Sequence, residues 1–313
     1  MNQNHNLTNK EYGEEEIDLR EVFQLLWDEK ILIISCTVAA AVLSVFYSLS
    51  LPNLYISTAL LAPTQETEGL GDTLRGYSGL ASLAGISLPS SSASNTTEAI
   101  EMLSSFDFFK NNIFPNIFLP DLMAVDSWDA KTNTLSYKDD LYDVTNNKWV
   151  RRASFPQKTI PSAQESFKVF IENKFYKSKG KETGFLTLSA KHQSPYVAKA
   201  WLDTIVYAIN QKLREDQKER ALLSIEYLNQ QIAQTSYAEI RQGLSALIQQ
   251  ETEKLMLIEA NEDYVFKLID PPIVPELKSE PNRAAICILG TIIGGFIALF
   301  IALVKRGREI FAI

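Results

Sequence analysis

Length, composition and charge already exclude several classes of protein. The chain has 313 residues, of which 46% are hydrophobic, and its formal net charge is −8. This composition is neither disordered nor collagen-like, and the acidic balance disfavours nucleic acid as a partner. The two cysteines, Cys36 and Cys287, are too few for a disulfide framework or a cysteine-based zinc site. With only two histidines besides, we expect no metal and no other cofactor.

The first predicted element is a membrane-spanning helix. Residues 31–51 contain no charged side chain, and at ~1.5 Å per residue they span the ~30 Å hydrocarbon core of a bilayer. A second uncharged run of equal length, 284–304, lies near the other end of the chain. A buried core helix is the alternative, but two such runs, one near each end, favour membrane spans. The run at 31–51 is also longer than the apolar segment of a cleaved signal peptide.

Basic residues beside the two runs predict the orientation. Lys30 precedes the first run and three basic residues follow the second, whereas Lys278 and Arg283 are the exceptions. The positive-inside rule then places both termini in the cytoplasm. The expected segments are a cytoplasmic leader 1–30, spans 31–51 and 284–304, an external domain 52–283, and a cytoplasmic tail 305–313. The short tail leaves no room for a catalytic domain, and residues 71–78 approach a phosphate-loop motif but lack its lysine.

The external domain mixes strand and helix patterns, which predicts an α+β fold with a small membrane-proximal sheet and long protruding helices. The predicted strands are 54–62, a pair within 175–191 around the turn at 179–181, and 264–269. The predicted helices run from a cap at Asn95 to about Lys110, from Ser162, from Ser194 to about Ala233, and from Ser236 to about Asn261. A long loop at 64–95 and irregular structure or short hairpins at 115–160 connect them.

One stretch of the longest predicted helix is polar on every side. It contains six charged residues, Arg214, Glu215, Asp216, Lys218, Glu219 and Arg220. Pairs such as Asp216–Arg220 have the spacing for internal ion pairs. The stretch is either a solvated helix surface or a contact with a neighbouring protomer.

A proline-rich connector precedes the second run. Pro271, Pro272, Pro275 and Pro281 lie within eleven residues, which forbids a helix and disfavours strand pairing. The connector, residues 270–283, is expected to be extended and stiff, so that it fixes the geometry between the external domain and the last span. An ordinary linker is the alternative.

In this segment and several others, the chain closely resembles the Wzz-type polysaccharide co-polymerases, the chain length determinant family. The shared features are an acidic leader ending in Asp18-Leu19 and Trp27, the strand before Pro63, the island 79–85, Trp201-Leu202-Asp203, Leu255-Met256-Leu257, the segment 262–266, and the proline connector. Asn282 departs from the basic residue expected beside Arg283.

The resemblance implies a non-catalytic inner-membrane protein with a periplasmic domain, assembled as a closed homo-oligomeric ring. Members of this family set the length of a lipid-linked glycan, an O-antigen of lipopolysaccharide or a related polymer, made by a Wzy-type polymerase. The implied partners are further copies of the chain, that polymerase, the bilayer and the lipid-linked glycan. The chain resembles the subgroup without a kinase domain.

Other interpretations remain open at this stage. A periplasmic enzyme would need a catalytic constellation, yet His192 is the only external histidine, at a strand end where we expect it to be exposed. A periplasmic adaptor for polysaccharide export also uses a helical hairpin, but the second span counts against it. Gly290 and Gly294 have the spacing that lets transmembrane helices approach closely, although any span tolerates glycine. Lysines in 165–191 form either a solvated surface or a site for an acidic glycan or lipid pyrophosphate.

Overall fold

The computed structural model describes residue 27 and residues 29–64, 93–261 and 265–311. The chain divides into two compact units. One combines residues 1–52 with 281–313, and the other is residues 53–280. The expectations for the leader, the island 79–85, residues 71–78 and the segment 262–264 lie outside the described residues.

Helices and strands alternate irregularly along the chain, as an α+β fold requires. The helices are α1 (Lys30–Ser50), α2 (Ala93–Met102), α3 (Phe106–Phe108), α4 (Leu119–Met123), α5 (Ala163–Asn173), α6 (Pro195–Gln234), α7 (Ala238–Ala260) and α8 (Arg283–Phe311). The strands are β1 (Tyr55–Pro63), β2 (Val125–Asp129), β3 (Thr134–Tyr137), β4 (Tyr142–Asp143), β5 (Lys148–Trp149), β6 (Phe175–Lys179), β7 (Leu186–His192) and β8 (Phe266–Asp270). A π-helical turn at Phe109–Ile113 and a 3₁₀ turn at Phe114–Asn116 follow α3.

The first unit contains two helices that are long and apolar enough to cross a membrane. These are α1 and the part of α8 from Arg283 to Lys305. They pack against each other in antiparallel directions, since Gly290 lies beside Ser44 whereas the later Gly294 lies beside the earlier Ala40. At one end of this pair Lys305 forms an ion pair with Glu29 at 2.6 Å. Asn282 caps the start of α8, because its Oδ1 accepts a hydrogen bond from the Ala285 amide at 3.2 Å.

The second unit is built on one antiparallel sheet with the order β6-β7-β1-β8. The three predicted strand segments therefore share a sheet, as expected. Alternate residues of β7 are buried, which gives the strand one core face; these are Leu186, Leu188, Ala190 and His192. The small β2–β3 and β4–β5 hairpins confirm the short hairpins expected between residues 115 and 160.

The long helix α6 has two parts with different neighbours. Its 40 residues extend for about 60 Å, and its first part packs on the sheet through Trp201, Ile205 and Leu213. Its later part packs against α7, with Leu228 in contact with Leu244 and Leu247. Helix α7 has only 23 residues. The residues by which α6 exceeds α7 in length are therefore those that cover the sheet.

Two of the predicted helix starts are wrong. Helix α2 begins at Ala93, so Asn95 lies inside it instead of capping it, and the chain leaves the helix after Met102 instead of continuing to Lys110. Helix α7 begins after Tyr237 and has no side-chain cap, so Ser236 does not cap it. Motif-based starts and boundaries taken from the backbone commonly differ by one or two residues.

The other two predicted starts are correct. The Ser194 hydroxyl accepts a hydrogen bond from the Val197 amide at the start of α6. Ser162 likewise accepts from the Glu165 amide at the start of α5. The Glu165 carboxylate does not return to Ser162, as a capping box would require. It binds the Arg151 guanidinium, which holds the pKa of Glu165 below its usual value.

Candidate interaction sites

The two glycines of the second candidate span lie directly against the first candidate span. A Cβ atom added at Gly290 would lie 2.5 Å from the Cβ of Ser44, and one added at Gly294 would collide with the Cβ of Ala40. At Gly295, by contrast, an added Cβ would make an ordinary 3.8 Å contact with Thr37. Both close contacts join helices of the same chain. The pattern of small residues at four-residue spacing is thus matched by Ala40 and Ser44 on α1.

The proline-rich connector has no regular structure and lies along the start of β1. The carbonyl of Ile273 accepts a hydrogen bond from the Ser57 hydroxyl at 2.8 Å. The Ser279 amide donates to the Leu54 carbonyl at 2.8 Å, and Leu54 forms an isolated bridge with Glu280. Glu280 also pairs with Lys191 at 3.1 Å. These contacts fix residues 273–280 to the sheet of the second unit at several points.

The polar stretch of α6 forms its ion pairs with partners outside the stretch. Asp216 pairs with Lys212 at 2.6 Å, Arg220 with Glu98 at 2.7 Å, and Lys218 with Glu259 of α7. The internal pairs suggested by spacing, Asp216–Arg220 and Glu215–Lys218, are therefore not the ion pairs that form. Asp216 thus pairs within α6, whereas Arg220 and Lys218 pair with carboxylates of α2 and α7, so the stretch joins α6 to both of these helices.

The lysines between residues 165 and 191 do not form one free basic surface. Lys177 donates to the backbone carbonyl of Ile100, and Lys191 pairs with Glu280. Lys174 is largely buried, which lowers its pKa, and the charge of Lys191 lowers it further. Three of the six lysines are thus used within the domain, which weakens the case for an acidic ligand at this place.

His192 is buried, which corrects the expectation of exposure. Its Nδ1 accepts a hydrogen bond from the Ser194 amide, and its Nε2 lies 2.9 Å from the Asp121 carbonyl oxygen. Since the carbonyl can only accept, Nε2 carries the proton. The ring packs edge-on against Trp201. Burial lowers the pKa of His192 to about 4, so the residue is a neutral part of the core.

A polar cleft that sequence reasoning missed lies between α6 and the π-helical turn. Its volume is about 500 Å³. Its lining residues come from two short stretches of sequence: Asn111, Asn112, Asn116, Asp203, Thr204, Tyr207, Ala208 and Gln211. The residues from α6 recur at four-residue spacing and share one helix face. Among the described residues, no group of three or more histidine, cysteine or acidic side chains is arranged to hold a metal.

The comparison with protein-family models agrees with the resemblance seen in the sequence. Residues 15–112 match the family model "Wzz: Chain length determinant protein". No curated protein matches the chain. Among solved structures, a "full-length bacterial polysaccharide co-polymerase" is 17% identical, with a TM-score of 0.42 over 93% of this chain and 98% of that one. A fragment of WzzB, the polysaccharide co-polymerase from Salmonella Typhimurium, is 15% identical, with a TM-score of 0.27 over 73% of this chain and 100% of that one. Residues 15–112, somewhat under a third of the chain, are thus similar to the Wzz-type chain length determinant family.

Proposed function

We propose that this chain is a non-catalytic, homo-oligomeric inner-membrane protein that regulates the length of a lipid-linked surface polysaccharide. The polymer, an O-antigen or a related glycan, would be made by a separate Wzy-type polymerase. The observation that carries the proposal is the match of residues 15–112 to the chain length determinant family. The protein then acts as a scaffold beside the polymerase and determines when a growing chain is released.

The antiparallel pair of candidate spans supports a topology with both termini in the cytoplasm. Glu29 and Lys305 pair at one end of α1 and α8, so the chain enters and leaves the proposed bilayer on the same side. Lys30 and the basic residues from Lys305 onward belong to that end. By the positive-inside rule this end faces the cytoplasm. Residues 53–280 would then lie in the periplasm.

Exposed apolar side chains on the α6–α7 hairpin support an assembly of several copies. In the second unit, α6 exposes Leu223 by 59% and Tyr227 by 54%, and α7 exposes Met256 by 63%. Contact with another copy of the chain would remove this apolar surface from water. A ring of identical chains would cover them and would place several long helices beside the polymerase.

The environment of His192 supports a role without catalysis. Both ring nitrogens are occupied by the backbone and the ring is fully buried. As the only histidine between residues 52 and 283, it therefore offers no exposed general base to that domain.

Deletion of the gene, followed by gel analysis of surface polysaccharide, tests this function. The expected result is that polymer is still made but loses its preferred length, and that the wild-type gene restores it. Complete loss of polymer would indicate an essential role in synthesis or export instead. An unchanged length distribution would contradict the proposal.

A further inference from the structure

The cleft between α6 and the π-helical turn has the chemistry of a site for sugars. Three asparagines and a glutamine supply amide groups that each can donate and accept. Several of these groups retain unused capacity. Asn111 uses one N–H on Asp107 at 2.9 Å, and Gln211 uses one on Glu215 at 2.8 Å, which leaves both side-chain oxygens and the second N–H groups for a ligand. Sugar hydroxyls, which also donate and accept, complement such amides.

Tyr207 adds an aromatic surface to these polar groups. Its side chain is 72% exposed although it belongs to the lining of the cleft. A ring in this position provides an apolar face and a hydroxyl at its tip. The C–H face of a pyranose ring can pack on such an aromatic face while its hydroxyls bond to the surrounding amides. An exposed tyrosine among amides is therefore better suited to a carbohydrate than to a purely apolar ligand.

The π-helical turn gives the opposite wall its shape. The Phe114 amide bonds to the carbonyl of Phe109, five residues earlier, and such π turns are frequent at functional sites. The turn presents Asn111 and Asn112 toward the cleft. The side-chain oxygen of Asn112 is buried and receives no hydrogen bond from the described residues. An unpaired buried acceptor is costly, and a hydrogen bond from a ligand hydroxyl would remove that cost.

The absence of basic residues from the lining of the cleft favours uncharged glycans over acidic ones. Its only ionisable acid is Asp203, and that carboxylate pairs with Lys199 at 2.6 Å. The lining contains no arginine or lysine, so an acidic polymer would gain no direct ion pair there. The volume of about 500 Å³ lies in the range of pockets that bind small organic ligands.

We propose that this cleft binds one or two uncharged sugar residues of the growing polysaccharide. The idea rests on the proposed function, which brings a glycan to this domain. Binding here would let each copy of the chain hold a segment of polymer along α6. The specificity would come from vicinal hydroxyls held by Asn111 and Gln211, with the sugar ring packed on Tyr207.

The test measures binding of delipidated neutral polysaccharide from the strain that carries the gene. Isothermal titration uses the full chain in detergent, with an acidic polysaccharide such as polysialic acid as the comparison ligand. The variants Tyr207→Ala and Asn111→Ala should each weaken binding of the neutral polymer about tenfold. Tyr196→Ala, which removes an exposed tyrosine elsewhere on the same helix, should leave binding unchanged. Thermal unfolding of each variant separates lost contacts from lost structure.

Each outcome of this experiment either supports or overturns the proposed sugar site. Binding by the wild type that is weakened only by the cleft variants supports the site. No binding by the wild type, equal binding by the cleft variants, or a preference for the acidic polymer would overturn it. These failures are distinct from failure of the proposed function, because the length distribution after gene deletion is measured separately.

Discussion

The side chain of Asn210 makes two hydrogen bonds to the backbone of Phe266. Its Nδ2 donates to the carbonyl oxygen of Phe266 and its Oδ1 accepts from the amide, both at 3.1 Å. Phe266 begins β8, which lies at the edge of the four-stranded sheet. Asn210 therefore satisfies backbone groups that have no further strand to pair with. This buried amide ties the long helix α6 to the last strand before the proline-rich connector.

Asn210→Ala should destabilise the protein by about 2–4 kcal/mol, because two buried backbone groups lose their partners. Denaturant unfolding of the full chain in detergent measures the change. Asn229→Ala serves as the control, since Asn229 is an exposed asparagine of the same helix. Equal stability of the two variants would show that the Asn210 bonds contribute little.

The buried histidine makes the stability of the protein depend on pH. His192 has a pKa of about 4 in the folded state and 6.5 as its ordinary value. Between these values the unfolded chain binds the proton and the folded chain does not, so stability falls as pH decreases from 6.5 to 4. At roughly 1.4 kcal/mol per pH unit, the full loss from this residue is about 3 kcal/mol.

The check on this pH dependence compares unfolding curves of the wild type and His192→Gln between pH 4 and pH 7. The variant lacks the titrating ring, so its stability should change less over this interval. The charge of Lys174 adds to the shift in the wild type. Parallel curves for both proteins would show that His192 does not cause the acid sensitivity.

The contact between the two candidate spans predicts different effects at neighbouring glycines. Gly294→Ala forces a new Cβ against Ala40, whereas Gly295→Ala adds only an ordinary contact with Thr37. We expect Gly294→Ala to weaken the helix pair and Gly295→Ala to be tolerated. Unfolding in increasing concentrations of sodium dodecyl sulfate distinguishes them.

The same glycines test whether the pairing of spans matters for polymer length. Gly290→Leu and Gly294→Leu should shift the length distribution of the surface polysaccharide. Equal polysaccharide ladders from both variants and the wild type would remove this role from the helix pair.

The exposed apolar residues of the hairpin predict the oligomeric state. Leu223→Ser combined with Tyr227→Ser should reduce the mass of the complex in detergent, measured by light scattering after size exclusion. The folded state should persist, since both side chains are exposed in the single chain. Tyr196→Ser, at the exposed start of the same helix, is the control. Retention of the full mass by the double variant would place the interface elsewhere.

Sequence reasoning succeeded where a signal was long or local and strong. The periodicity of α6 and the Ser194-Pro195 start predicted its bounds to within a residue. In β7, alternate residues lie on the buried face of the strand. The same alternation would have placed His192 on that face with Leu186 and Leu188. Its position at the end of the strand led to the wrong expectation, whereas in the structure two backbone groups satisfy the ring.

The cleft and the ion pairs of α6 could not be predicted, because they depend on contacts between segments that are distant in the sequence. Nothing near Asn111 indicates that a π-helical turn will bring it beside Tyr207, which follows 96 positions later in the sequence. The partner of Arg220 is Glu98 and not a carboxylate of its own helix, which no helical spacing rule reveals. Pairings of this kind are set by tertiary packing, so a local sequence pattern does not predict them.

The central claim is that this chain by itself imposes a preferred length on a polymer made by another protein. Its most direct test is to express the chain in a host that makes surface polysaccharide but lacks its own length regulator, and to measure the length distribution by gel electrophoresis. We expect the random distribution to become one with a defined mode. A distribution that stays random, with the chain present in the membrane, would contradict it.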